Sequence, residues 1–185
     1  MKILAIIGSP RKNSNTEILI KEAMEGAKQA GAETEILNIT ELNIIPCNGC
    51  DFCLDGGECS ISDDMQQISP KLIEADGIFI GTPVYFWNVS GQVKILIDRT
   101  YPLMVHRKLR GKVGGIAVVA NRVGCGNAYS SLNDYFALMR MTLAGGVIGY
   151  AGEPGEIRND SEAMIQSSAA GKAMVKAIQR EVTSK

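Results

Sequence analysis

The amino-acid sequence predicts an α/β protein with one parallel β-sheet covered by helices on both faces. Short apolar runs alternate with segments of helical periodicity along the 185-residue chain. This alternation, without repeats or low-complexity tracts, is typical of right-handed strand–helix–strand crossovers. The length suits one domain with a single core, and we expect residues 1–185 to form it, with a cysteine-rich loop at about 44–62.

The predicted strands are continuous apolar runs of the kind that parallel sheets bury on both faces. They are expected at 2–7, 34–39, 77–81, 113–120 and 146–151. Helices are expected at 16–30, 64–75, 90–99, within 127–143 and at 161–181. In the second helix, Asp63 and Asp64 are expected to cap the start, and Pro70 is expected to break or kink the middle.

Composition and charge argue against two classes of protein. The formal net charge is −1, whereas nucleic-acid binders usually show a basic excess or patch. No apolar run approaches the roughly 18 residues of a membrane span. The apolar start is too short for a signal peptide and lacks a cleavage site, so we expect a cytoplasmic protein. Five cysteines in such a protein favour a metal or redox site over a disulfide framework.

Three loops are expected to converge on one ligand-binding crevice, because ligands of parallel sheets bind beyond the carboxyl ends of the strands. The first loop joins strand 1 to helix 1 and offers hydroxyl, amide and backbone N–H groups, which suit a phosphate monoester. Plain capping of the helix is the alternative. The expected phosphate-binding residues of this first loop are Ser9, Arg11, Asn13, Ser14, Asn15 and Thr16. No Gly-x-Gly-x-x-Gly and no Walker loop are present.

The second loop follows strand 3 and carries three adjacent aromatic residues, which offer flat surface to a ring; a plain hydrophobic plug is the alternative. Its expected binding residues are Thr82, Pro83, Val84, Tyr85, Phe86, Trp87 and Asn88. The third loop follows strand 4 and contributes Asn121 and Gly124. Arg122 in that loop is either a partner for an anionic ring or a solvated surface residue.

Two of these motifs resemble the NAD(P)H-dependent FMN reductases of the flavodoxin-like superfamily. They are Gly-Ser-Pro-Arg-x-x-Ser-Asn-Thr after strand 1 and Pro-x-Tyr, followed by Ser-Gly, after strand 3. The resemblance implies a flavodoxin-like three-layer sandwich with strand order 2-1-3-4-5. It implies that the first loop binds the FMN phosphate, that the second borders the isoalloxazine ring, and that the chain forms a homodimer or homotetramer.

The loop after strand 2 contains four cysteines with the spacing C-x2-C-x2-C-x5-C, at Cys47, Cys50, Cys53 and Cys59. This compact spacing favours one 4Fe–4S cluster and fits poorly with structural zinc, which usually takes two separated C-x2-C pairs. Zinc, a thiol–disulfide pair and a loop without metal remain alternatives. The fifth cysteine, Cys125, is expected to be a small packing residue.

The four cysteines and the following Asp63-Asp64-Met65 resemble the iron–sulfur flavoproteins of anaerobic archaea and bacteria. The resemblance implies that the four cysteines bind a 4Fe–4S cluster. It implies an FMN-dependent oxidoreductase that passes electrons from a ferredoxin-like donor to a small acceptor: dioxygen, hydrogen peroxide or a quinone-like compound. The chemistry would belong to the flavin, with no catalytic side chain.

Three other functions are compatible with the sequence. One is an NAD(P)H-dependent FMN or quinone reductase without a cluster. The others are a non-enzymatic flavodoxin-like electron carrier and a redox sensor whose cysteine loop switches a partner interface. The only histidine, His106, begins the basic stretch 106–110, which is either a solvated turn or a docking site for an acidic ferredoxin.

Overall fold

The sheet has the predicted strand order. A computed structural model describes residues 1–183, and its five strands form one parallel sheet of order β2-β1-β3-β4-β5. The strands are β1 Lys2–Ile7, β2 Glu33–Asn38, β3 Gly77–Pro83, β4 Val113–Ala120 and β5 Thr142–Tyr150.

Helices cover both faces of this sheet. They are α1 Asn15–Gln29, α2 Met65–Glu74, α3 Gly91–Arg99, α4 Tyr101–Val105, α5 Cys125–Leu138 and α6 Ser161–Thr183. Helices α1 and α6 pack on one face, and α2 to α5 pack on the other. The short helix α4 was not predicted from the sequence. No helix within residues 1–183 is long and apolar enough to span a bilayer.

Strand β1 shows how the sequence builds a core on each face. Successive strand side chains point to opposite sides, so Ile3 and Ala5 pack toward α1 and α6, whereas Leu4 and Ile6 pack toward α2 to α5. All four side chains are fully buried. Burial of each of the larger ones stabilises the fold by roughly 1.5–3 kcal/mol. An apolar run without alternation is what two covered faces require.

Helix α2 departs from the sequence prediction in two ways. It continues through Pro70 without the expected break, while the expected kink stays a prediction. Pro70 and Gln66 both lie on the exposed side, so the Gln66 carbonyl, to which proline cannot donate a hydrogen bond, is not confined to the apolar core. Asp64 occupies the cap position, but its side chain makes no cap bond there and accepts instead from the backbone N–H of Asn43, at 2.7 Å.

A long segment, 39–64, joins β2 to α2 and contains the four clustered cysteines. Its only regular structure is two 3₁₀ turns, Ile39–Glu41 and Phe52–Asp55. Because it leaves the carboxyl end of β2, the segment begins at the edge of the sheet where α/β proteins bind ligands.

Candidate functional site

The carboxyl ends of four strands border a crevice of about 150 Å³. The loops after β1, β3 and β4, which the sequence predicted to converge, all contribute to its wall. The lining residues are Ser9, Arg11, Ser14, Asn15, Thr16, Pro83, Val84, Tyr85, Val119, Ala120, Asn121, Ala151, Gly152 and Pro154. The crevice therefore lies where a doubly wound sheet places its ligand.

The first wall of the crevice is the loop after β1 together with the N-terminus of α1. The Ser14 hydroxyl caps the helix by accepting a hydrogen bond from Glu17 N at 3.1 Å. Ser9 and Thr16 are almost completely buried beside it. Capping therefore accounts for Ser14, while Asn15 and Thr16, the first two residues of this 15-residue helix, line the crevice and bring its partial positive charge to it. This wall is suited to an anion.

The segment after β5 is a wall that the sequence reasoning missed. Asn15 Nδ2 donates to the Glu153 carbonyl at 2.8 Å, and Asn15 Oδ1 accepts from Ile157 N at 3.3 Å. Arg11 Nη1 donates to the Gly152 carbonyl at 3.2 Å. Asn15 and Arg11 thus tie the first loop to the segment that follows β5. The signal that points to this wall is its place at the carboxyl end of β5.

The loop after β3 forms the opposite wall. Val84 N donates to the Val119 carbonyl at 2.8 Å, which fixes the loop against β4. The buried Thr82 hydroxyl donates to the Pro83 carbonyl at 2.9 Å and accepts from Ser90 N at 2.9 Å. Thr82 therefore holds the framework of the loop, while Pro83, Val84 and Tyr85 line the crevice.

A two-residue turn, Phe86–Trp87, projects from this loop. Tyr85 N donates to Asn88 O at 3.0 Å, and Asn88 N donates to Tyr85 O at 3.1 Å. Both turn residues have positive φ, 47° and 62°, which is unfavourable for bulky side chains. Phe86 is fully exposed and Trp87 is 58% exposed, so the turn presents two aromatic rings to solvent. Strain kept at an exposed position is a feature of functional sites.

Not every predicted binding residue lines the crevice. Asn13, Thr82, Phe86, Trp87, Asn88 and Gly124 lie outside its lining. Gly124, with φ of +94°, is packed so closely that a Cβ there would lie 3.1 Å from Trp87 Cα. Asn88 Oδ1 accepts from Ser131 Oγ at 2.9 Å, which holds the aromatic turn against α5. Gly124 and Asn88 therefore hold the aromatic turn in place and do not line the crevice.

The four clustered cysteines line a second cavity, which is small, about 30 Å³. Cys47 and Cys50 are exposed, whereas Cys53 and Cys59 are half-buried. Arg99 from the end of α3 and Tyr101 and Pro102 from the start of α4 complete its wall. The fifth cysteine, Cys125, is buried at the start of α5, as the sequence predicted.

The surroundings of the thiols differ. A 3.2 Å hydrogen bond with the Ser60 hydroxyl, assisted by the backbone N–H of Phe52, lowers the pKa of the Cys50 thiol. Burial raises the pKa of the Cys53 thiol, and the negative charges of Cys59, Cys50 and Cys47 raise it further. A charge on any one of these thiols therefore bears on the ionisation of Cys53.

Arg99 is the most unusual side chain beside this cavity. Its side chain and that of Asp63 are fully buried and form an ion pair. Burial alone would lower the pKa of Arg99, but the hydrogen bond to Asp63 and the charge of Cys59 outweigh it and raise the pKa. Its Nε is buried without a hydrogen-bond partner among the described residues. Buried N–H groups without partners are rare.

Comparison with known proteins assigns the chain to a family. Residues 1–153 match the family model of the NADPH-dependent FMN reductases. The chain is 37% identical over 188 residues to the iron-sulfur flavoprotein MJ1083 of Methanocaldococcus jannaschii, covering 96% of this chain and 97% of that one. It is 38% identical over 150 residues to an iron-sulfur flavoprotein of Methanosarcina thermophila, covering 78% of each.

The chain belongs to the iron–sulfur flavoprotein family, within the NADPH-dependent FMN reductases. Membership makes it an FMN-dependent oxidoreductase. A flavodoxin from the domain Archaea has the same fold, with a TM-score of 0.65 at 13% identity, covering 97% of this chain and 99% of that one. The predicted flavodoxin-like fold is thereby confirmed.

The residues of this family member fit an iron–sulfur cluster in their chemistry. Four thiols line one cavity, and the unpartnered Arg99 Nε–H beside them is suited to a sulfur acceptor. Within residues 1–183, no three or more His, Cys, Asp or Glu side chains converge to hold a single metal ion. A 4Fe–4S cluster makes a different demand, because each of its four thiolates binds a separate iron.

Proposed function

We propose that the protein binds FMN in the crevice and a 4Fe–4S cluster on Cys47, Cys50, Cys53 and Cys59. We propose that it passes electrons from a ferredoxin-like donor to a small acceptor such as dioxygen, hydrogen peroxide or a quinone. The cluster would supply one-electron exchange and FMN one- or two-electron chemistry. The observation that carries this proposal is the cavity that all four cysteines and Arg99 line, with Arg99 carrying a buried Nε–H that has no hydrogen-bond partner among the described residues.

For FMN, the protein's own residues supply binding and orientation. The N-terminus of α1, with Ser9 and Thr16, offers donors to the phosphate. Pro83 and Tyr85 form the wall beside which the ring would lie. The crevice is smaller than the 300–1,000 Å³ of an enclosing ligand pocket. An FMN would therefore be held by its phosphate end, with its ring at the open mouth beside the aromatic turn.

A donor would approach along a wider groove of about 600 Å³ that adjoins the cysteine cavity. The two share Cys59, Ile61, Arg99 and Pro102 in their walls. His106 and Lys108, from the basic stretch 106–110, line the groove, and His106 Nε2 lies 3.0 Å from the Cys53 carbonyl oxygen. Glu58 also lines the groove, so the positive charge comes from the exposed Arg107, Lys108 and Arg110 of this stretch, and it supports a donor with an acidic surface, as ferredoxins have.

The cysteine cavity and the crevice share no lining residue within 1–183. The two cofactors of one chain would therefore occupy separate cavities. This separation supports a homodimer or homotetramer in which the cluster of one chain faces the FMN of another. A cytoplasmic location remains our expectation for such an assembly.

An NAD(P)H-dependent FMN or quinone reductase without a cluster is the second candidate. The family match supports this candidate, because the reductases of that family are described as NADPH-dependent. It requires a reduced nicotinamide to reach the mouth of the crevice, beside Tyr85 and the exposed Phe86–Trp87 turn. In that case the cysteine loop would be structural.

The choice of electron donor tests the proposal. We expect a reduced bacterial ferredoxin to reduce the bound flavin faster than NADH or NADPH does, as measured by stopped-flow absorbance without oxygen. The variant Cys53→Ser should retain FMN but lose reduction by ferredoxin, whereas Cys125→Ser is the matched control and should retain both. Fast reduction by NADPH, unchanged in Cys53→Ser, would support the second candidate instead.

A further inference from the structure

The buried ion pair between Arg99 and Asp63 lies at the neck of the cysteine loop. We define the neck as residues 43–45 and 61–64, which bring the two ends of the loop together. The four cysteines lie between these two segments. Neither Arg99 nor Asp63 lines the crevice at the carboxyl ends of β1, β3, β4 and β5.

Arg99, at the end of α3, forms hydrogen bonds with both segments of the neck. Its Nη1 donates to the Ile45 carbonyl at 2.5 Å and to Asp63 Oδ2. Its Nη2 donates to the Ile61 carbonyl at 3.4 Å and to Asp63 Oδ1 at 3.0 Å. A planar guanidinium is the one side chain whose fixed fork of donors can serve two carbonyls and a carboxylate at once.

The two aspartates complete the closure from the other side. Asp63 Oδ2 accepts from Ile45 N at 2.7 Å, and Asp63 Oδ1 accepts from Met65 N at 2.9 Å. Asp64 N donates to the Asn43 carbonyl at 3.1 Å. The neck is thus closed by polar contacts made by protein groups alone, and none of these contacts uses a cysteine.

We propose that Arg99 is a positioning residue that closes the neck of the cysteine loop before any cluster is bound, and that its free Nε–H and fixed charge then face the cluster. The second half of this proposal rests on the function proposed above. The first half holds for the chain without iron. Because the neck is anchored to α3, the loop between its ends would adjust around a cluster without unfolding α2 or β2.

The two halves have different signatures. Loss of the guanidinium fork opens the neck, so the amides of Asn43 and Ile45 exchange hydrogen faster. Loss of the buried positive charge disfavours the more negative, reduced state of a cluster, so its reduction potential falls. A lysine at position 99 keeps the charge but cannot bind two carbonyls and a carboxylate with the same geometry.

The experiment combines hydrogen exchange of the iron-free protein with a redox titration of the reconstituted protein. For Arg99→Gln we expect the amides of the neck to exchange hydrogen at least about tenfold faster, which corresponds to a fall of roughly 1.4 kcal/mol in the free energy of opening the neck. We also expect a lower reduction potential of the cluster. For Arg99→Lys we expect fast exchange with a potential near that of the wild type. Lys176→Gln, at an exposed position of α6 on the opposite face of the sheet, is the control and should change neither.

A buried aspartate left without its partner can unfold a protein. The double variant Asp63→Asn/Arg99→Gln leaves no unpaired buried charge, and we expect fast neck exchange in it as well. Wild-type exchange rates in either variant would overturn the first half of the proposal, and an unchanged potential in Arg99→Gln would overturn the second. A wild-type protein that takes up no iron and sulfide would overturn the proposed function and this second half, while the exchange data still decide the first.

Discussion

Ser90 joins the end of β1 to the start of α3. Its Oγ donates a 2.7 Å hydrogen bond to the Gly8 carbonyl and accepts a 3.3 Å hydrogen bond from Val93 N. Gly8 begins the first loop of the crevice, and Ser90 ends the loop after β3. One buried hydroxyl therefore fixes the separation of the two walls between which FMN is proposed to bind.

Replacing Ser90 with alanine should destabilise the protein and loosen the crevice. We expect the free energy of unfolding to fall by about 2–3 kcal/mol, because the change removes a helix cap and leaves the buried Gly8 carbonyl without its donor. Urea unfolding of Ser90→Ala and of the exposed control Ser130→Ala measures this. Equal stability of the two variants would show that the Ser90–Gly8 bond does not hold the walls together.

Replacing the strained turn Phe86–Trp87 should stabilise the fold but weaken FMN binding. Two-residue turns with two positive φ angles favour Asn-Gly, so Phe86→Asn/Trp87→Gly should raise the free energy of unfolding by about 1–2 kcal/mol. If the rings border the bound flavin, FMN affinity should fall in the same variant. Thermal unfolding and FMN titration separate the two effects. Higher stability with unchanged FMN affinity would remove the turn from the flavin site.

The first loop should distinguish FMN from riboflavin, which lacks the phosphate. Thr16→Val and Ser9→Ala each remove one buried hydroxyl near the N-terminus of α1. Hydrogen bonds to charged groups contribute about 1.5–3 kcal/mol, so each variant should bind FMN at least about tenfold more weakly. Riboflavin affinity should not change. Parallel titrations with both flavins make the measurement, and equal loss for both would place the phosphate elsewhere.

The stability contributed by the buried, protonated Tyr135 should be lost at alkaline pH. Burial raises the pKa of Tyr135 to about 12, although its contact with Thr100 lowers it slightly. An unfolded tyrosine ionises near 10, so the unfolded state loses this proton first and stability declines as the pH rises from about 10 toward 12. The difference in unfolding free energy between wild type and Tyr135→Phe should therefore change by about 1 kcal/mol between pH 8 and pH 11. A constant difference would contradict the raised pKa.

The sequence predicted the sheet and most of the crevice because both depend on local patterns. Apolar runs gave the five strands, and the alternation with helices placed the loops after β1, β3 and β4 at one edge. Ala151, Gly152 and Pro154 were missed, although they follow β5 and so obey the same rule. Pro70 was expected to break α2, but its exposed position removes the main cost of the missing hydrogen bond.

The contacts of Arg99 could not be predicted from the sequence because they depend on tertiary structure. Asp63 was expected to cap the next helix, as acidic residues before a helix usually do. In the structure it accepts from Met65 N and also pairs with Arg99, 36 positions away in sequence. Nothing in the helical pattern of α3 distinguishes Arg99 from a solvated residue at a helix end. Burial of the pair becomes visible only when α3 packs against the neck.

Iron, acid-labile sulfide and FMN content, together with the ultraviolet–visible spectrum of protein purified without oxygen, test the central claim most directly. We expect about four iron and four sulfide per chain, with a broad shoulder beneath the flavin bands that disappears in Cys53→Ser. Bound FMN with no iron, no sulfide and four free thiols at Cys47, Cys50, Cys53 and Cys59, even after reconstitution, would contradict the claim.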